Sequence, residues 1–198
     1  NFMKSEKEGK KNEWNFDLNA FLSSCKKSTN QTFENLKEIL KYLEDPSTRV
    51  KARCALTELY QHFLNLESGH DAVLNYHFSI DKLITDGDES SPNTLLLLQL
   101  PSIFTPEDWS FTFFEGLARY PSSEFHHRVL AELGCGNGWI SIALAKRGAP
   151  QQIYGLDINP KAIICARINL FLNALDNSGQ AYIDSEGKSI LERVQFHH

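Results

Sequence analysis

No apolar stretch in this 198-residue chain is long enough to cross a bilayer. Its longest leucine run, Leu95–Leu98, falls far short of the roughly 20 residues a spanning helix needs. No basic-then-apolar start marks a secretory signal. The four cysteines (Cys25, Cys54, Cys135 and Cys165) lie far apart with no paired spacing, as expected of reduced thiols in a cytoplasmic protein. Basic residues are the minority, 20 against 25 acidic, and the resulting charge of −5 would repel a phosphate backbone. A duplex nucleic-acid partner is therefore disfavoured. There is no internal repeat and no low-complexity tract. Present instead is an ordinary globular balance, with 41% hydrophobic and 23% charged residues, which argues against global disorder. The length suits one domain with a small appendage.

Residues 1–13 carry seven charges and read as a disordered lead-in. Helical periodicity follows to about residue 68, within a mainly helical N-terminal region over 14–100. Leu18, Phe21, Leu22 and Cys25 share one face, and Phe33, Leu36, Ile39, Leu40 and Leu43 share another. Asp45-Pro46 is expected to restart the helix as N-cap and first helical residue, and Ser68-Gly69 to end it. Tyr76, Phe78 and Ile80 alternate with polar residues as in a short strand. The polar loop Asp86–Asn93 precedes the leucine run. Thr105 and Asp108 flank Pro106 in the manner of a capping box, giving a helix with Trp109, Phe113 and Leu117 as its inner face. The second half alternates: strand Val129–Leu133, helix Trp139–Lys146, strand Ile153–Leu156, a helix opened by Asn159-Pro160, and a strand beginning at Val194. That order implies an α/β fold with right-handed crossovers and a parallel sheet.

The chemistry is carried by Glu132-Leu133-Gly134-Cys135-Gly136-Asn137-Gly138-Trp139. A strand, a glycine-rich turn and a helix N-terminus form the usual setting for a nucleotide, because glycines let backbone approach ligand. A dinucleotide fold needs a small helix-packing residue where this chain has Trp139. Asp157 ends the next strand, placed to accept hydrogen bonds from both hydroxyls of a ribose. Cys135 reads as a small packing residue, since no base supports it as a nucleophile. The pairs His126-His127 and His197-His198 lack a spaced carboxylate or thiolate, so no metal site is expected. Trp109, Phe111, Phe113 and Phe114 read first as core, although aromatic faces also attract cations.

The Glu-x-Gly-x-Gly-x-Gly pattern resembles motif I of class I methyltransferases that use S-adenosylmethionine (SAM). The chain from about Phe16 onward is similar to the N-terminal region of the plant methionine S-methyltransferases. The likeness rests on Leu43–Arg49, Tyr76-His77-Phe78, Pro101–Leu117, Val129–Ile142, Tyr154–Pro160 and Ile168-Asn169-Leu170. It implies that the helical part leads into the first half of a Rossmann-like sheet over 101–198. It also implies SAM as methyl donor and L-methionine as a small-molecule substrate, with no nucleic-acid or membrane partner. The implied SAM contacts are Glu132, Gly134, Cys135, Gly136, Asn137, Gly138, Asp157, Ile158 and Asn159. Ile158 would pack on adenine, and Asn159 would cap the following helix. Residues facing the methyl group are not assigned. A thioether sulfur loses no proton on methylation, so no general base is required. Other readings are an N-methyltransferase of protein glutamine or nucleic-acid amines, and a non-catalytic adenosyl-binding module. The chain reads as cut at both ends. On that reading Val129–Leu133 is an unpaired edge, and the isolated chain is expected to self-associate, bind SAM feebly and lack turnover.

Overall fold

The computed structural model describes residues 14–66, 75–85 and 94–198. The lead-in over 1–13, the helix stop at Ser68-Gly69 and the loop Asp86–Asn93 lie outside the described residues. Three helices open the fold: α1 (Leu18–Cys25), α2 (Thr29–Glu44) and α3 (Arg49–Leu64). Asp17 and Ser28 cap the first two, their side-chain oxygens accepting from the Ala20 and Gln31 amides. Of the expected α2 stripe, Leu36, Ile39, Leu40 and Leu43 are buried and Phe33 is only half-buried.

The Asp45-Pro46 restart is corrected. Asp45 closes α2 instead, and its carboxylate accepts from both the amide and the hydroxyl of Ser47. Those bonds fold a local turn, so α3 begins only at Arg49, with Thr48 as its N-cap residue. Strand β1 (Ser79–Leu83) pairs antiparallel with β2 (Leu95–Gln99), Ile80 opposite Leu98. Tyr76 and Phe78 precede the strand rather than belong to it, because His77 between them has a left-handed φ of 55°.

Helix α4 (Asp108–Ala118) is capped reciprocally by Glu107 and Ser110, two residues further along than the Thr105–Asp108 box read in the sequence. The helix is correspondingly rotated. Ser110 and Phe114 point inward, while Trp109 is 67% and Phe113 55% exposed, which corrects the expected inner face.

The second half follows its expected alternation: β3 (Val129–Leu133), α5 (Trp139–Gly148), β4 (Gln152–Leu156), α6 (Pro160–Ala174), α7 (Ile190–Arg193) and β5 (Val194–His197). The three strands form a parallel sheet in the order β3-β4-β5, so β3 stands at an edge. One face is packed: Ile153, Val194 and Phe196 meet Ile142, Ala143, Ala166 and Leu170 from α5 and α6. The other face presents Val129, Leu133, Tyr154 and Leu156 outward, Leu133 being 82% exposed.

Helix α6 belongs to two cores. Ala162, Cys165, Ile168 and Phe171 pack with α1–α3 and the hairpin, while Ile163, Ala166 and Leu170 pack under the sheet. Its polar residues are equally placed. The side chains of Asn169 and Asn173 run along the outer edge of β2 and hydrogen-bond its backbone as a neighbouring strand would. Asn169 Oδ1 accepts from the Leu98 amide (2.6 Å) and Asn173 Oδ1 from the Leu96 amide (2.9 Å). Their amide groups donate back to the Leu98 and Leu96 carbonyls, at 3.3 and 2.7 Å. A strand edge that would otherwise carry bare donors and acceptors is closed by two side chains.

Candidate functional site

The turn after β3 is shaped by three left-handed glycines, Gly134, Gly136 and Gly138, with φ of 72°, 54° and 78°. These glycines have different neighbours. A Cβ on Gly138 would stand 2.6 Å from Phe196 Cζ and 2.9 Å from Ala166 Cβ, so this residue is small in order to seat α5 against β5 and α6. A Cβ on Gly134 would meet nothing within 4 Å, and one on Gly136 only Ile103 Cγ2 at 3.9 Å. Those two leave bare backbone facing open space.

The turn is anchored to the end of β4. The amides of Gly134 and Cys135 both donate to the Leu156 carbonyl, at 2.8 and 3.0 Å. Asp157 completes the anchor: Oδ2 accepts from the Gly136 amide (2.9 Å) and Oδ1 from the Asn159 amide (2.8 Å). A carboxylate has about four acceptor positions, so each oxygen keeps room for a further donor. Ile158, 94% exposed, stands beside it. Asn159 is the N-cap of α6, Oδ1 accepting from the Lys161 amide, as its sequence position suggested.

Other residues of the motif build the turn from beneath. Register puts Glu132 opposite Gly155 and Gly155 opposite Phe196, on the packed face of the sheet. Its carboxylate turns to the first turn of α5 and accepts from both the amide and the hydroxyl of Ser141. Burial pushes Glu132 up to about 7; the Ser141 bonds oppose that rise and the charge of Asp157 adds to it. Cys135 is buried, and desolvation, with Glu132 and Asp157 nearby, raises its thiol to about 12. That is the reverse of an activated nucleophile. Asn137 is buried too: Oδ1 accepts from the Trp139 amide, Nδ2 donates to Gln99, and its carbonyl accepts from Asn169 Nδ2 at 2.9 Å.

Asn169 therefore joins the glycine turn to β2, a role that pattern reading missed. The available signal was an asparagine four residues from another on a helix otherwise apolar on that side. A cavity of about 350 Å³ adjoins the turn, lined by Gln99, Ser102, Ile103, Phe104 and Glu107. Phe104 and Trp109 stay largely uncovered.

Far from the turn, Glu186 lies against the His126-His127 pair, with Nε2 of His126 at 2.9 Å. The expectation that this pair has no carboxylate partner is thereby corrected; sixty residues separate them in sequence, beyond the reach of spacing arguments. All four cysteines are free, and among the described residues no helix is long and apolar enough to cross a membrane.

Residues 116–197 match the methyltransferase small domain. The chain is 46% identical over 182 residues to the methionine S-methyltransferase of Arabidopsis thaliana and 45% identical over 185 residues to that of Zea mays. Each match covers 91% of this chain but only 17% of the relative, so the chain spans about one-sixth of the length of these proteins. A putative protein N5-glutamine methyltransferase of Methanocaldococcus jannaschii is 36% identical over 78 residues, which is 39% of this chain and 36% of that one. The chain is thus similar, along nine-tenths of its length, to one part of the plant methionine S-methyltransferases, and its second half matches the methyltransferase small domain.

Proposed function

We propose that the glycine turn and Asp157 hold the adenosyl part of SAM, and that the protein containing this chain methylates the sulfur of L-methionine to give S-methylmethionine. The carrying observation is the Asp157 carboxylate, fixed by the Gly136 and Asn159 amides at the mouth of a turn whose glycines leave open space. The residues present fit the ligand. Asp157 retains acceptor capacity for two ribose hydroxyls, bare backbone at Gly134 and Gly136 admits close approach, and the exposed Ile158 offers an apolar surface for a purine. Glu132, Cys135, Asn137, Gly138 and Asn159 act one layer behind, holding the turn and the helix starts.

SAM supplies an electrophilic methyl group on a sulfonium. The chain's own contribution is to orient it, since a thioether nucleophile has a free lone pair and surrenders no proton. Rate enhancement then comes from alignment at near-attack distance. No nucleophile–base pair is required, and the high thiol pKa of Cys135 accords with that. Methionine as acceptor rests on the similarity to the plant enzymes. A second reading, transfer to a protein glutamine amide, is favoured by the similarity to the Methanocaldococcus protein.

In protein expressed from the full reading frame, Asp157→Ala should weaken SAM about 10- to 100-fold by calorimetry, the worth of a charge-assisted bond. Unchanged affinity in a folded variant would remove the ribose assignment. Labelled methyl from SAM should appear in free methionine; label in peptide glutamine with none in methionine would favour the second reading.

A further inference from the structure

We propose that His126, His127 and Glu186 form a three-ligand site for a divalent transition-metal ion of the zinc type. The three side chains arrive from two segments, one just before β3 and one in the loop before α7, and each offers one ligand atom within 4.8 Å of the others. Glu186 Oε1 is 2.9 Å from His126 Nε2 and 3.8 Å from His127 Nε2. Ligands bound tetrahedrally at zinc–nitrogen and zinc–oxygen lengths stand about 3.3 Å apart, which those two distances bracket. Two imidazoles and a carboxylate are also a donor set that zinc takes, with solvent filling the remaining position. All three residues are exposed, so an ion has access from water.

Consecutive residues on extended backbone would aim their rings to opposite sides. Here His127 has a left-handed φ of 57°, and the two ring centroids are 3.9 Å apart. A bulky residue in that region is held there at a cost on the order of 1–2 kcal/mol. A hydrogen bond from His126 to Glu186 accounts for one histidine without an ion. It leaves the second unexplained, because 3.8 Å is too long for a hydrogen bond.

The carboxylate is fixed from behind. Arg193, 1% exposed, donates to Glu186 Oε2 at 2.8 Å, and also donates to Asp184 Oδ2 and to the Pro150 carbonyl. Oε1 is left to face the histidines. One guanidinium set between two carboxylates leaves one negative charge for a cation, and an outer partner that orients a ligand is a regular part of metal sites. The Asp184–Lys188 turn carrying Glu186 is itself closed, with Asp184 Oδ1 accepting from the Glu186 and Lys188 amides.

The site lies before the N-terminal ends of β3 and β5, whereas the glycine turn follows the C-terminal end of β3. Five strand residues, about 17 Å, separate the two ends. The ion would therefore clip together the chain entering the first and third strands of the parallel sheet. Its effect falls on stability rather than on methyl transfer.

The test is zinc chloride titrated into the chain by calorimetry, with thermal melts in parallel. Wild type should bind one equivalent with a dissociation constant in the micromolar range or tighter, and its melting temperature should rise saturably. His127→Ala should weaken binding at least 10-fold and abolish the rise while melting normally without zinc, because its ring makes no hydrogen bond to the described residues. Glu186→Gln should do the same to binding, although loss of its pair with Arg193 can also lower the metal-free melting point. Cys54→Ser and a His197→Ala/His198→Ala double variant should bind as wild type, which excludes the exposed thiol and the terminal histidines. If His127→Ala and wild type behave alike, whether both bind or neither does, the site is overturned.

Discussion

Asn169→Ala should lower the stability of this chain by about 3 kcal/mol or more, a large fraction of what holds a domain together. The side chain is fully buried and serves three backbone groups at once: the Leu98 amide, the Leu98 carbonyl and the Asn137 carbonyl. Alanine removes the partner of the buried Leu98 amide and of the Asn137 carbonyl, and each buried group left without a partner costs on the order of 1–3 kcal/mol. Among the described residues the Leu98 carbonyl keeps a weak thiol donor, Cys165. Asn169→Asp should be no better. It retains an acceptor for the Leu98 amide but sets a second oxygen against two carbonyls in a buried place. Urea unfolding with unchanged slope measures the loss; a shift below about 1 kcal/mol would show that the asparagine bridge is dispensable. Because the Asn137 carbonyl lies inside the glycine turn, SAM affinity should fall in the same variant.

The second large effect is a pH dependence centred on Glu132. Its carboxyl is raised from an ordinary 4.5 to about 7 in the fold, so the folded chain binds this proton more tightly than the unfolded one. Stability contributed by the bound proton is complete below about 4.5, declines as pH rises, and is gone above about 7. The span corresponds to about 3 kcal/mol. Glu132→Gln keeps an acceptor for the Ser141 amide and hydroxyl without a charge to bury. The variant should match wild type near pH 4 and exceed it by up to about 3 kcal/mol above pH 7. Taking the difference between the two unfolding curves removes every other titrating group. Parallel curves from pH 5 to 8 would mean that Glu132 ionises freely.

The sheet, its order of elements and the glycine turn were legible because they rest on local rules. Apolar runs of strand length, a helix period starting at Trp139 and Asn159-Pro160 as a helix start all specify themselves within a few residues. What escaped was decided by competition or by distance. At Asp45 two readings of one carboxylate compete, capping the helix ahead or folding a turn with Ser47, and the second wins. The cap of α4 falls on Glu107 rather than Thr105, and that slip was enough to turn Trp109 and Phe113 from the expected inner face to the surface. Within the motif, spacing singles out a glycine turn and an aspartate but does not say which way each side chain points. Strand alternation sends Glu132 to the packed face and Leu133 to the open one, a distinction visible only once register with Gly155 and Phe196 is known. Glu186 beside His126, and Asn169 beside Leu98, are joined by tertiary structure alone.

The asparagine-sealed edge of β2 also has a consequence in time. Leu98 leaves the ribosome 71 residues ahead of Asn169. At ordinary rates of synthesis that is an interval on the order of 4–14 s. Antiparallel pairing with β1 needs nothing downstream and can form within microseconds of emergence. For those seconds the nascent hairpin carries an open outer edge of four leucines, Leu95–Leu98, with its amides and carbonyls unclaimed. Synthesis of α6 ends that exposure in one event, closing the edge and fixing the turn through the same side chain. A codon-level slowing between residues 99 and 168 would lengthen the vulnerable window without altering a single atom of the finished protein.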